Sequence, residues 1–150
     1  MKRREFITLL GGAAAWPLAA RAQQPDRIRL IGVLVFSGED DVEAKAWISS
    51  FVRGLRELNW IEGGNVHIDR RWAAVDPERA RMLAGELVAL KPDVILASNT
   101  TTLTALHQAT HTTPIVFANV SDPVGGGFVQ TFTRPGGNVT GFVPAEASPA

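Results

Sequence analysis

Pro114-Ile115-Val116-Phe117-Ala118-Asn119-Val120-Ser121-Asp122-Pro123 is the stretch on which the fold turns. Ile115 to Ala118 is a short apolar run, partly β-branched and preceded by proline, which is how a buried strand of a parallel sheet reads. It runs directly into Asn119, Ser121 and Asp122. Ligands of open α/β sheets sit in the crevice beyond the carboxyl ends of the strands. Hydrogen-bonding groups are therefore presented where a small molecule would dock. Downstream, the Gly125–Gly127 triplet and Pro135-Gly136-Gly137-Asn138 read as turns, and Val139-Thr140-Gly141-Phe142 as a short strand after them.

Working back from this strand, the chain alternates. Leu30–Phe36 is a continuous apolar run with one glycine, read as the first and central strand. Asp40 or Asp41 caps the next helix, and the acidic cluster there suits a helix amino terminus. From Val42 to Leu58 the apolar residues Ala44, Trp47, Ile48, Phe51, Val52, Leu55 and Leu58 recur at helical spacing and predict a wide buried stripe. Val66–Trp72 alternates apolar with charged residues, as a strand at a sheet edge does. Asp76-Pro77 starts a second helix that Lys91-Pro92-Asp93 ends. Val94–Ala97 is the third strand, Ser98–Thr102 a polar loop, and Leu103–Thr110 a short helix. Strands alternating with helices predict βαβ units with right-handed crossovers, an α/β fold with a doubly wound, mostly parallel sheet.

The first residues read as an export signal. Met1-Lys2-Arg3-Arg4-Glu5-Phe6-Ile7 is a charged segment, Thr8–Ala20 is moderately apolar, and Ala20-Arg21-Ala22 is a small-x-small cleavage site. The pair Arg3-Arg4 with modest hydrophobicity favours a twin-arginine route over the general secretory one. Removing residues 1–22 takes away Lys2, Arg3, Arg4, Arg21 and Glu5 and leaves a net charge of −3. No basic stripe remains for nucleic acid. The chain has no cysteine, which excludes disulfides, thiolate zinc sites, a cysteine nucleophile and a lipid anchor. The expected location is the periplasm, free after cleavage.

Val116-Phe117-Ala118-Asn119-Val120-Ser121-Asp122-Pro123-Val124-Gly125 followed by Arg134-Pro135-Gly136-Gly137-Asn138-Val139-Thr140-Gly141 resembles a family of ABC-transporter substrate-binding proteins. Phe51-Val52-Arg53-Gly54-Leu55-Arg56-Glu57-Leu58, Arg70-Arg71-Trp72-Ala73, Ala84-Gly85-Glu86-Leu87-Val88 and Lys91-Pro92-Asp93-Val94-Ile95 extend the resemblance, which covers roughly Ile28 to Phe142. It implies a type I periplasmic-binding-protein fold with strand order 2-1-3-4-5. It further implies a small-molecule solute, which for some members is an aromatic amino acid, and a membrane permease as partner. Residues 23–142 then form the first lobe, with Val139–Phe142 leading through a hinge. Residues 143–150 are expected to be a disordered tail and the second lobe to be absent, as in a truncated or frameshifted product.

Polar residues follow three strands: Ser37 after the first, Ser98, Asn99, Thr100 and Thr101 after the third, and Asn119, Ser121 and Asp122 after the fourth. Each alone is at home as a helix cap or turn residue. Their convergence on one edge, with the resemblance, makes them the candidate ligand contacts, Asp122 for an ammonium and the hydroxyls and amides for a carboxylate. No motif calls for a cofactor. His107 and His111 have metal-ligand spacing but no glutamate between them in the required position, so they read as a surface pair. There is no Gly-x-Ser-x-Gly elbow for a serine hydrolase and no P-loop. The expected function is a non-enzymatic solute receptor. The alternatives are a secreted α/β hydrolase-like enzyme using Asp122, or a periplasmic sensor of the same fold.

Overall fold

The computed structural model describes residues 27–143. The expected signal peptide and most of the expected tail lie outside the described residues. Five strands form one sheet in the order β2-β1-β3-β4-β5, all neighbours parallel. In chain order the elements are β1 (Arg29–Val35), α1 (Val42–Glu57), β2 (Val66–Trp72), α2 (Pro77–Ala89), β3 (Val94–Ala97), α3 (Thr100–Ala109), β4 (Ile115–Phe117) and β5 (Val139–Gly141). This is the expected α/β fold and the expected strand order.

The continuous apolar run of β1 is explained by its two covered faces. Ile31, Val33 and Val35 join Val66, Ile68, Leu96 and Ile48 under α1. Leu34 belongs to the opposite core, with Leu83 and Leu87 of α2, Leu103 and Leu106 of α3, and Ile95, Ile115 and Phe117 of the sheet. Gly32 also faces α2, where a Cβ would lie 3.2 Å from the Leu87 side chain. Gly141 is more constrained, because a Cβ there would fall on the Phe117 carbonyl oxygen and ring. Only glycine lets β5 lie this close to β4.

Helix α1 differs from expectation. Of its stripe only Ile48 is buried. Ala44, Trp47, Phe51, Val52 and Leu55 are half-covered, and Leu58 is 70% exposed as the carboxyl cap. Among the described residues one helix covers this face of the sheet while two cover the other, so its stripe is shared with solvent.

Ser98–Thr102 is not a loop throughout: α3 begins at Thr100, three residues before the expected start. Asn99 is its cap, and Thr102, wholly buried, closes a capping box with it. A residue-by-residue polarity reading missed this because threonine is a poor helix former without such a partner. The first strand ends at Val35 and the fourth at Phe117, one residue short of each expected run. His107 and His111 meet edge-on at 5.6 Å, and His107 meets Phe128 in the same way at 5.6 Å, so that pair is partly a packing feature.

The edge position of β2 is as expected, and its edge is guarded. Arg70 makes a two-pronged pair with Glu62, at 2.6 and 2.8 Å, and Arg79 donates to the Trp72 carbonyl at 3.0 Å. At the other edge, Asn138 donates to the Thr113 carbonyl at 2.8 Å, which pins the start of β5 beside β4.

Candidate functional site

The carboxyl ends of β1, β3 and β4 are bonded into one rim. Ser98 carries two of the links: its N–H donates to the Leu34 carbonyl at 3.2 Å, and its hydroxyl oxygen accepts the Phe36 N–H at 3.1 Å. Ala118 donates to the Ala97 carbonyl at 3.0 Å. The loop after β2 is drawn in as well, with Val75 N–H on the Phe36 carbonyl at 2.6 Å and Ala74 N–H on the Ser37 carbonyl at 3.2 Å. Ala74 and Val75 are both left-handed, with φ of 54° and 62°. For a β-branched residue this is strained, so this rim is held against local preference.

A cleft of about 370 Å³ opens at this rim. Ser37, Ser98, Asn99 and Asn119 line it together, three strand ends converging as expected. Phe36 and Trp47 give it apolar walls, and Asp41 and Glu43 of the α1 start complete it. Asn119 has φ of 55°, a left-handed conformation that asparagine tolerates better than most side chains, and it sits where the chain turns away from β4.

The remaining candidates fall elsewhere. Thr100 and Thr101 line a separate groove with Pro77, Arg81 and Thr104. The reason is helical: with Asn99 as cap and Thr102 turned inward, the two preceding threonines point away from the cleft. Ser121 and Asp122 are exposed and do not line the cleft. The Asp122 carboxylate accepts the Gly125 N–H at 2.7 Å, and the Asp122 carbonyl accepts the Gly126 N–H at 3.0 Å. The glycine triplet is thus a helical turn capped by Asp122. A Cβ at Gly125 would meet that carboxylate and displace it from the turn.

Electrostatically the cleft leans negative, with two carboxylates and no cation among its lining residues. Asp41 caps α1, its Oδ1 accepting from Glu43 N–H at 2.9 Å and Ala44 N–H at 3.1 Å. The Ala44 N–H above all, then the Ser37 hydroxyl and the Glu43 N–H, hold the Asp41 carboxyl below its usual range. Trp47 and Glu43 were legible as helix residues but not as cleft residues. Their place one and two turns into the helix that follows β1 was the available signal.

A larger groove, about 540 Å³, lies between α1 and β2 and is lined by Lys45, Arg53, Arg56, Arg70, Val52 and Trp72 among others. It shares no lining residue with the cleft. Among the described residues no group of three or more His, Cys, Asp or Glu could hold a metal ion.

A family model described as "ABC transporter substrate binding protein" matches residues 30–149. The chain belongs to this family. A curated relative, the "Tyrosine-binding protein" of Clostridioides difficile (strain R20291), is 35% identical over 91 residues, which is 61% of this chain and 26% of that protein. The ligand-free, open structure of a substrate binding protein with adhesive properties from Clostridium difficile superposes with a TM-score of 0.70 at 31% identity, over 80% of this chain and 41% of that one. An ABC domain in complex with L-Trp from Streptococcus pneumonia gives a TM-score of 0.69 at 29% identity, over 77% and 38%. This chain therefore spans about a quarter of the curated relative and about two fifths of the solved ones. Among its described residues no helix is long and apolar enough to cross a membrane.

Proposed function

We propose that this chain is the ligand-capturing first lobe of an extracytoplasmic receptor for an ABC importer, and that its solute is an amino acid with an aromatic side chain. The single observation that carries the reading is the cleft at the carboxyl ends of β1, β3 and β4, where Ser37, Ser98, Asn99 and Asn119 meet beside Trp47 and Phe36. Amides and hydroxyls there suit a carboxylate, and the aromatic walls suit an apolar side chain. The similarity to one protein named for tyrosine and another solved with L-Trp supports the choice of solute.

In this reading a second lobe closes over the solute by a hinge near Phe142, and the closed form docks on a membrane permease. Residues 1–22 direct export, by the twin-arginine route, to the periplasm. The protein is a receptor and not an enzyme: it returns its ligand unchanged.

Ligand-observed saturation-transfer NMR with a panel of L-amino acids at millimolar concentration tests this, because the method detects binding too weak for calorimetry. Transfer to L-tryptophan or L-tyrosine, with no new species on prolonged incubation, is the expected result. Absence of transfer to every amino acid overturns the solute assignment, and a product peak overturns the receptor assignment.

A further inference from the structure

An amino-acid ligand brings an ammonium as well as a carboxylate, and this cleft carries two carboxylates and no cation among its lining residues. Asp122 lies outside the cleft, and its carboxylate is taken by the Gly125 amide. Asp41 lines the cleft, but its Oδ1 takes two backbone amides of α1 and the Ser37 hydroxyl also donates to this carboxylate, so it is the more committed of the two. Ser37, Ser98, Asn99 and Asn119 bear no charge. Glu43 also lines the cleft, and among the described residues its side chain makes neither an ion pair nor a hydrogen bond.

Trp47 stands four residues further along α1, on the same helical face and half-buried. A carboxylate and an indole at this spacing match an ammonium and the apolar group beside it. The indole face also adds attraction for the cation. At the opposite side of the rim, Asn99 has its oxygen committed to the Thr102 amide, which leaves its amide nitrogen as a donor for a carboxylate. Donors toward β3 and β4, with an acceptor toward α1, impose a direction on the ligand.

Resting on the amino-acid reading above, we propose that Glu43 is the specificity-determining residue that binds the ligand ammonium, with Trp47 as the adjoining wall, and that Asp122 has no part in recognition. The plain alternative is that Glu43 only complements the α1 dipole, which predicts a small loss of helix stability and no change in ligand preference.

The test is saturation-transfer NMR on the 150-residue chain and its variants, with affinities from titration, using L-tryptophan, tryptamine and indole-3-propionate as probes. The unmodified chain should bind L-tryptophan and tryptamine in preference to indole-3-propionate, which lacks the ammonium. Glu43→Gln should lower affinity for both ammonium-bearing probes tenfold or more while leaving indole-3-propionate unchanged or improved. Trp47→Leu should weaken all three together. Asp122→Asn should keep the original preference. Glu43→Gln retaining the original preference overturns the proposal while leaving the receptor reading intact. Failure of the unmodified chain to bind L-tryptophan, L-tyrosine or any other amino acid removes the solute reading and this proposal with it. Thermal melts of every variant confirm that a lost preference does not come from lost folding.

Discussion

The Asn99 side-chain oxygen accepts the Thr102 N–H at 2.9 Å, while the Thr102 hydroxyl oxygen accepts the Asn99 N–H at 3.1 Å. These two residues satisfy each other at one of the two helix starts that border the cleft, the other being that of α1. Stability and recognition can be separated here. Asn99→Asp keeps the cap oxygen but removes the amide donor, whereas Asn99→Ala removes both. The alanine variant should lose about 1 kcal/mol of stability, as caps generally do. The aspartate variant should melt close to the original yet bind L-tryptophan more weakly, since it places a negative charge where a carboxylate would dock. Urea melts and ligand titration on both variants check this. Equal binding by the aspartate variant would show that Asn99 is a cap alone.

Asp93 predicts a pH dependence. Its carboxylate accepts the Leu30 N–H at 2.9 Å and faces Arg27 at 2.6 Å and Arg29 at 3.2 Å. The Leu30 amide first, then the two guanidinium groups, hold its carboxyl below the ordinary aspartate range. A lowered native value means that the extra stability is fully present above the unfolded-chain value, and is lost as pH falls through the native one. Asp93→Asn should therefore be less stable than the original at neutral pH. The gap should begin to narrow as pH falls below about 4, the usual aspartate range, and go on narrowing as the native carboxyl is protonated. Arg27 is exposed and Arg29 half-buried, so added salt should screen both pairs and narrow the gap toward what the Leu30 amide bond supplies. Urea melts across a pH series give the answer, and a gap that does not change with pH at all would assign the effect to packing.

How much of this was legible follows from the range of each interaction. Asp76-Pro77 and the β1 run carry local signals, a cap with proline after it and an unbroken apolar stretch, and both appear as expected. The order of the sheet came with the family resemblance, since no local feature of β2 says which strand it flanks. Asp93 reads as part of a helix stop, because its partner Leu30 lies 63 residues away in the chain. Thr100 and Thr101 read as cleft residues because polarity was counted without helical phase. Glu43 and Trp47 were missed for the opposite reason: a dipole acid and a core aromatic are the ordinary readings of those positions, and only the fold brings them to the rim.

Val75 offers a stabilising change. It is left-handed, β-branched and 66% exposed, so its side chain contributes little packing while its backbone is strained. Its N–H nonetheless makes the 2.6 Å bond to Phe36 that ties the β2 loop to the rim. Val75→Asn keeps that amide and suits the conformation. It should raise stability by about 1 kcal/mol, the scale of the left-handed penalty for an ordinary side chain. A thermal melt showing no gain would mean that the loop relaxes without cost.

Asn119 and Asp122 stand three residues apart and should respond in opposite ways. Asn119 lines the cleft in a left-handed conformation, so alanine there would mix lost contacts with backbone strain. Glycine removes the side chain without that strain. Asn119→Gly should therefore melt within about 1 kcal/mol of the original, the conformational cost of a glycine, while ligand affinity falls. If its amide hydrogen-bonds the ligand carboxylate, the loss should be about 1.5–3 kcal/mol, the usual size for a bond to a charged group, or roughly tenfold to a hundredfold. Asp122→Ala removes the acceptor of the Gly125 N–H and should loosen the turn that sets Val129 into the core. It should cost about 1 kcal/mol of stability, as for a lost cap, and leave the ranking of ligands unchanged. Paired melts and titrations of the two variants distinguish the roles. Weaker binding without destabilisation by Asp122→Ala would return Asp122 to the site and show that the turn moves when ligand is present.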